Sequence, residues 1–426
     1  MRIAYLVSHP IQYQAPLLRR IAQEEDLDLT VFFGSSFSAR GYVDRGFGVD
    51  VAWDVSLLDG YRYEVLPTLR DKGRTGVASP LNHGIFSRLK GRKGVPGFDV
   101  LWVHGYSTLN ALQAMLAAKA LGIPVLLRAE SREGARRQNG WKRLAKRLLF
   151  YGLRRLVDGV LPIGTLNAAY WRHHLGEKIP QYPMPYAVDN DYFLSRSRAA
   201  TQSRTQRMEH LALDASRPVI LFVSKLQGRK RCGDLLEAYL SLSPAPGVEP
   251  AAYLVLVGDG EKRTALEDRA KQSGFDSIRF CGFQNQSEIP AFFDIATVFV
   301  LPSQDEPWGL IVNEVMNAGR AVIVSDDVGC QPDLVTDGVE GLVFPVGDIA
   351  ALANALRRVL EDPQLSAAMG EKGRERIKTW SFEEDIRGLR TGVAQATRRI
   401  RGDNDPLSAK SSSVNSTAML EVPDSN

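Results

Sequence analysis

The chain has 426 residues, with 53 Lys and Arg against 49 Asp and Glu for a formal net charge of +4; 44% is hydrophobic, 24% charged, and Gly, Pro and Cys number 37, 22 and 3. These proportions suit a soluble globular protein of two or three domains, each able to bury its own core, and exclude a collagen, a disulfide scaffold and a wholly disordered chain. Cys232, Cys281 and Cys330 lie far apart, with no C-x-x-C and no adjacent His pair, so three small buried thiols in a reducing compartment are expected.

The opening MRIAYLVSHPIQ has one basic residue and too short an apolar run for a signal peptide, and reads as a first β-strand. Short apolar runs then alternate with helical-period segments: IAYLV (3–7), LTVFF (29–33), VLWV (100–103), IPVLLR (123–128) and GVLPI (159–163). After a polar stretch around 195–217 the pattern restarts with VILFVS (219–224), YLVLV (253–257), IRFC (278–281), TVFVLP (297–302), AVIVS (321–325) and GLVF (341–344). Runs this short, continuously apolar and punctuated by Gly or Pro predict parallel strands buried on both faces, hence two doubly wound α/β domains. Ligands of such sheets sit at the carboxyl ends of the strands, so the loops that follow each strand are where chemistry is sought. The longest uncharged stretch, 100–118, is interrupted by His104, Gly105, Ser107, Asn110 and Gln113, which argues against a transmembrane helix and for a cytoplasmic protein.

Charge is distributed unevenly. Residues 1–190 hold 26 Lys and Arg and 16 Asp and Glu, a net +10, whereas 191–426 hold 27 and 33, a net −6. Part of the N-terminal excess lies in WKRLAKRLLFYGLRRL, where Trp141, Leu144, Leu148 and Leu149 recur at helical spacing. Two uses of that stripe are open, packing on the domain's own sheet or docking against an anionic membrane surface or a phosphorylated acceptor. Nothing resembles a nucleic-acid reader. The tail 401–426 is Ser/Asn/Asp-rich and is expected to be disordered.

Three segments of the second half carry candidate chemistry. VSKLQGRKRCGDLLEAY (223–239) crowds Lys225, Arg229, Lys230 and Arg231 into the loop after a strand, either a clamp for a diphosphate or a solvated turn. VLVGDGEKRTAL (255–266) lacks the third glycine of a dinucleotide fingerprint, but Gly258 and Gly260 permit close approach of a ligand to the backbone. LPSQDEPWGLIVNEVMNAGRAVIVSD (301–326) runs strand, polar loop, helix, so that the positive helix end favours an anion over the sheet edge. Glu306 and Glu314 flank this turn, placed to accept hydrogen bonds from sugar hydroxyls; two Glu at that spacing mean little without the surrounding strand and helix.

In order, FVSKLQGRKRCGDLLEAY, LVGDGEKRTAL, the stretch FCGFQNQSEIPAFFDIATVFVLPSQDEPWGLIVNEVMNAG and SDDVGCQPDLVTDGVEGLVFPVGD resemble the donor domain of retaining GT-B glycosyltransferases of family 4, over about 218–350. Glu306 and Glu314 fall on that family's E-x7-E. The resemblance implies a GT-B fold, an N-terminal acceptor domain (1–196, with a helix at 382–400 packing back onto it) and a C-terminal donor domain (197–381). It implies a nucleotide-diphosphate sugar as co-substrate and no metal. Lys230, with Lys225 or Arg229, would hold the phosphates, aided by backbone groups of Gly309, Leu310 and Ile311; Glu314 would take the ribose, Glu306 the transferred sugar, and Gly258 and Gly282 would border the donor.

The first half matches the family less closely. GIPVLLRAES (122–131) resembles a stretch that usually ends in a His facing the cleft, and here that position is Glu130; the usual Gly-Gly turn after the first strand is replaced by SHPIQYQAP, which offers His9, Gln12, Tyr13 and Gln14. Glu130 and His9 are therefore the candidates for orienting an acceptor hydroxyl, with local partners (Arg128 or Arg132 for Glu130) as the bland alternative. Asp189-Asn190-Asp191 spells D-x-D, a metal motif of the other glycosyltransferase fold, but the string recurs at 26–28 and 403–405 and carries little weight. The expected activity is transfer of a sugar to a glycan or lipid-linked glycan, with a sugar-nucleotide epimerase or a non-catalytic sugar-nucleotide-binding protein as alternatives.

Overall fold

The computed structural model describes residues 1–44, 46–92, 94–134 and 140–401. Two six-stranded parallel sheets form, their strands numbered β1 to β12 in chain order. The first sheet holds β1 (Arg2–Val7), β2 (Asp28–Phe33), β3 (Arg62–Val65), β4 (Val100–His104), β5 (Val125–Arg128) and β6 (Gly159–Val160). The second holds β7 (Val219–Val223), β8 (Tyr253–Val257), β9 (Ile278–Phe280), β10 (Val298–Leu301), β11 (Ala321–Ser325) and β12 (Gly341–Phe344). Side by side they run β6-β5-β4-β1-β2-β3 and β9-β8-β7-β10-β11-β12, the same doubly wound order twice. The order reverses between β1 and β4 in one sheet and between β7 and β10 in the other, and a crevice opens at each reversal.

Every residue of β7, β8 and β11 is buried, as parallel strands covered on both faces require, and their β-branched and apolar side chains make that burial favourable. In the first sheet alternate residues enter different cores. Ala4, Leu6 and Val103 pack with Trp171 on one face, while Ile3, Tyr5 and Trp102 pack on the other with Ile386, Leu389 and Val393. Those last three belong to the helix Phe382–Arg401, which crosses from the second sheet to cover the first.

Two contacts fasten that crossing. Arg128, at the end of β5, donates to Asp385 at 2.9 Å with both side chains buried, and to the Met184 carbonyl at 3.0 Å. Burial pushes the Asp385 carboxyl up to about 7, against the opposing pull of Arg128. Near the surface, Arg390 reaches Glu24 at 2.6 Å and Asp26 at 2.8 Å.

Some expectations change. Cys232 and Cys330 are buried, but Cys281 is only partly so. Asp189 caps the helix Asn190–Ala200 through the Tyr192 N–H at 2.9 Å, so the D-x-D string is a helix start. Beyond Arg401, the tail expected for 401–426 lies outside the described residues. No helix among the described residues is long and apolar enough to cross a membrane.

Candidate active site

At the reversal of the second sheet, the loop after β7 meets the loop after β10. The Gln304 N–H donates to the Arg229 carbonyl at 2.7 Å and locks the two loops together. Lys230, in the short turn Gly228–Lys230, donates its ammonium to Glu306 Oε2, and Arg229 Nη1 reaches the same oxygen at 3.0 Å. Lys230 and Glu306 are buried. Burial alone would raise the Glu306 carboxyl, but the Lys230 and Arg229 cations hold it below the usual carboxylate range. Burial likewise lowers the Lys230 ammonium, against the attraction of Glu306. Arg231 turns away to Asp234 at 2.6 Å and Gln304 at 3.2 Å.

The backbone around Glu306 is fixed from the neighbouring strand. Asp305 has φ +50°, and its N–H donates to Asp327 Oδ2 at 2.8 Å. The Glu306 N–H reaches the Asp327 carbonyl at 3.2 Å, and the Glu306 carbonyl accepts from Gly329 at 2.9 Å. A left-handed non-glycine residue costs energy, and this one is held so that the next side chain faces Lys230.

Gly309, with φ +95°, starts the helix Leu310–Asn317. A Cβ there would sit 3.0 Å from Leu301 Cδ2 and 3.1 Å from Val328 Cγ1, so only glycine makes this turn. The N–H groups of Leu310 and Ile311 have no acceptor within the helix and, with its dipole, favour an anion at this end. Glu314 lies one turn further on. Burial pushes its carboxyl up to about 8, and no cation pairs with it among the described residues.

Gly258 is required by the chain's own packing. A Cβ there would lie 1.9 Å from the Ser224 carbonyl oxygen, so the glycine serves the close passage of the chain's own strand ends. Its N–H donates to Gly282 at 2.8 Å, which joins the two expected donor-side glycines. Lys225 is engaged across the cleft: its Nζ lies 2.8 Å from both carboxylate oxygens of Asp44 and 4.6 Å from the centre of the Phe47 ring. Asp44 ends the strand Tyr42–Asp44, which pairs with Val49–Val51 in a hairpin that leans on the second domain. Phe47 meets Phe283 edge to face at 4.8 Å, and Asn285 donates to the Ala52 carbonyl at 3.1 Å. Neither an apolar run nor a familiar motif marks this hairpin in the sequence.

On the facing side, the loops after β1 and β4 meet through Gln14, whose amide lies 3.0 Å from His104 Nδ1. His9 follows β1, stacks on Phe37 at 4.7 Å, and shares a 2.8 Å hydrogen bond between Nδ1 and Ser8 Oγ. Burial lowers its imidazole to about 4, so it is neutral near pH 7. Glu130, two residues after β5, accepts from the hydroxyls of Tyr13 and Tyr186 rather than from Arg128 or Arg132. Tyr186 in turn meets Trp308, the residue before Gly309, at 6.2 Å, which brings Glu130 beside the donor loop. Arg132 reaches across to the Asp327 carbonyl at 2.8 Å, and Thr165 Oγ1 to Asp333 at 2.6 Å, so hydrogen bonds join the two domains.

Glu133, His173 and His174 bring ligand atoms within 4.8 Å of one another at the surface, a spacing a metal ion accepts. The Lys146 ammonium, 3.4 Å from the same carboxylate, opposes a cation there.

Two doubly wound domains whose strand-order reversals face each other, one carrying paired cations, a fixed carboxylate and a helix N-terminus, constitute a GT-B glycosyltransferase architecture. Residues 203–376 match the family described as glycosyl transferases group 1. Among curated relatives, Alpha-D-kanosaminyltransferase of Streptomyces kanamyceticus is 31% identical over 39% of this chain and 42% of its own length. The lipopolysaccharide core biosynthesis glycosyltransferase LpsE of Rhizobium meliloti is 31% identical over 38% of this chain and 45% of its own. The matched segment thus spans less than half the length of either relative. The crystal structure of Anabaena HepE in complex with UDP superposes with a TM-score of 0.65 at 18% identity, covering 96% of this chain and all of that one, so the two share a fold.

Proposed function

We propose that the protein is a retaining glycosyltransferase that moves one sugar from a nucleotide-diphosphate sugar to a hydroxyl of a glycan or lipid-linked glycan in cell-surface polysaccharide synthesis. The observation that carries this reading is the convergence of Lys230 and Arg229 on Glu306 beside the open N-terminus of the helix Leu310–Asn317. A diphosphate entering that corner takes the cations and the Leu310 and Ile311 N–H groups, and releases Glu306 to accept from hydroxyls of the donor sugar. Glu314 accepts from the ribose hydroxyls. UDP in HepE and the lipopolysaccharide role named for LpsE support, respectively, the nucleotide donor and the glycan acceptor.

In the reaction the bond from the anomeric carbon to the diphosphate oxygen breaks, the acceptor oxygen bonds to that carbon on the same face, and its proton passes to the departing phosphate oxygen. Lys230 and Arg229 offset the charge that grows on the leaving group, the task a metal ion performs elsewhere. Glu130 and the neutral His9 orient the acceptor. Closure through Arg132 and Thr165 keeps water, which would hydrolyse the donor, out of the cleft.

The test is turnover in EDTA with UDP-, GDP- and ADP-sugars and sugar or lipid-diphosphate glycan acceptors, the product's anomeric configuration being read by NMR. Acceptor-dependent release of nucleoside diphosphate with retention supports the reading. Inversion, a magnesium requirement, or consumption of donor to an isomer without acceptor contradicts it; the last makes the protein an epimerase. Nucleotide binding without turnover on any acceptor makes it a binding protein.

A further inference from the structure

The 17-residue helix Gly140–Leu156 buries Phe150 and Leu153 and, from 140 to 149, nothing. Trp141, Leu144, Leu148 and Tyr151, at steps of three and four, share one face of a helix. All four are exposed, Trp141 at 77%, Leu148 at 64% and Tyr151 at 60%. The stripe is therefore not what packs on the domain's own sheet; Phe150 does that, stacked 4.5 Å from His174 and against Tyr106. Beside the stripe the helix carries Lys142, Arg143, Lys146, Arg147, Arg154 and Arg155, and no acidic residue.

The neighbouring helices expose apolar side chains as well. The helix Leu109–Ala120 packs alongside and exposes Leu109 and Leu116, and next to it Ile85–Lys90 exposes Phe86. Isolated apolar side chains on a protein surface are ordinary, but a periodic exposed stripe bordered by cations is a docking face.

We infer that this face of the N-terminal domain docks on an anionic lipid surface. Charge complementarity selects that occupant: the helix is uniformly cationic on its polar side, within an N-terminal half of net +10. Position gives docking a use. Arg132 bonds the Asp327 carbonyl, which also holds the Glu306 N–H, and Lys146 ties the helix to Glu133 at 3.4 Å. A docked helix therefore sets the mouth of the cleft at the lipid surface, where a lipid-linked acceptor presents its hydroxyl. This last consequence rests on the proposed function; the docking does not.

The experiment is co-sedimentation of the full chain with vesicles of phosphatidylcholine alone or mixed with phosphatidylglycerol, at low and high salt, with tryptophan emission as a second readout. Binding at least about ten-fold tighter to the anionic vesicles, weakened by salt, is expected. So is a blue shift that disappears in Trp141→Phe. The double variant Lys142→Glu/Arg143→Glu should lose affinity by roughly twenty-fold or more, and Leu148→Glu by about ten-fold, with nucleotide binding and thermal unfolding unchanged because these positions are exposed. No binding to anionic vesicles, or equal binding to both compositions, overturns the inference. So does a wild-type dimer in sedimentation equilibrium that Leu148→Glu dissociates, since the face is then an interface between copies. Failure of glycosyl transfer leaves these readouts unaffected, so the two readings fail separately.

Discussion

Lys225 on the donor side and Asp44 on the facing domain are joined across the cleft, ammonium to both carboxylate oxygens at 2.8 Å. In the proposed reading, Asp44 occupies a cation that an incoming diphosphate would take. Burial would raise its carboxyl, but the Lys225 charge holds it below the usual range. Asp44→Asn is expected to lower the donor Kd by roughly three- to five-fold, the worth of a partly exposed ion pair. Calorimetric titration of wild type and variant with the same nucleotide sugar reads this directly, and an unchanged or weaker Kd counts against competition at Lys225.

In the proposed reaction, Lys230 faces the charge that develops as the donor bond breaks. Lys230→Met is expected to lower kcat by about 10²–10³-fold while the donor KM moves much less, since Arg229 and the helix end still hold the ground-state phosphates. Steady-state kinetics with varied donor tests the split; a variant whose loss lies in KM alone would make Lys230 a binding residue.

Glu314 makes a prediction for stability. Its native carboxyl is raised to about 8 from an ordinary 4.5, so between those values the unfolded chain ionises while the native one keeps its proton. The native state binds more protons across that window, and this residue makes stability fall as pH rises through it. Glu314→Gln removes the slope. It should be more stable than wild type at pH 8 by about 1 kcal/mol or more, with the difference fading towards pH 4, and should bind nucleotide less well. Thermal unfolding of both proteins over that pH range checks the sign.

The Arg128–Asp385 pair fastens the C-terminal helix to the first sheet at a buried position. Asp385→Ala leaves the guanidinium without its counter-charge and should cost about 3–5 kcal/mol. Arg128→Met combined with Asp385→Leu should recover more than half of that in urea unfolding, the remainder reflecting the Met184 and Pro185 carbonyls that Arg128 also satisfies.

The most legible strands are those buried on both faces. VILFV, YLVLV and AVIVS announce themselves because parallel strands need uninterrupted apolar residues, whereas β3, RYEV, is a largely exposed edge strand and looks like any polar segment. Lys230, Arg229 and Glu306 were legible as a group because each follows a strand at the reversal of the sheet, where topology brings distant loops together. Glu130 was placed rightly in the chain but not in its company: nothing local shows that Tyr13, over a hundred residues earlier, and Tyr186 both donate to it. Asp44 was missed for the same reason, since a cross-domain ion pair depends on how two domains meet. The packing need at Gly258 is not legible either, because it depends on how closely the Ser224 carbonyl passes.

The central claim is that the corner formed by Lys230, Glu306, Gly309 and Glu314 binds a nucleotide-diphosphate sugar without a metal. Its most direct test is thermal unfolding of wild type and Glu314→Ala in EDTA with UDP-, GDP- and ADP-sugars. At about 100 times its Kd a ligand stabilises by about 2.7 kcal/mol, a shift of a few degrees. The account predicts that one nucleotide class shifts the wild type in EDTA and that Glu314→Ala loses most of that shift. A wild type that responds to none of them, or only once magnesium is added, would contradict it.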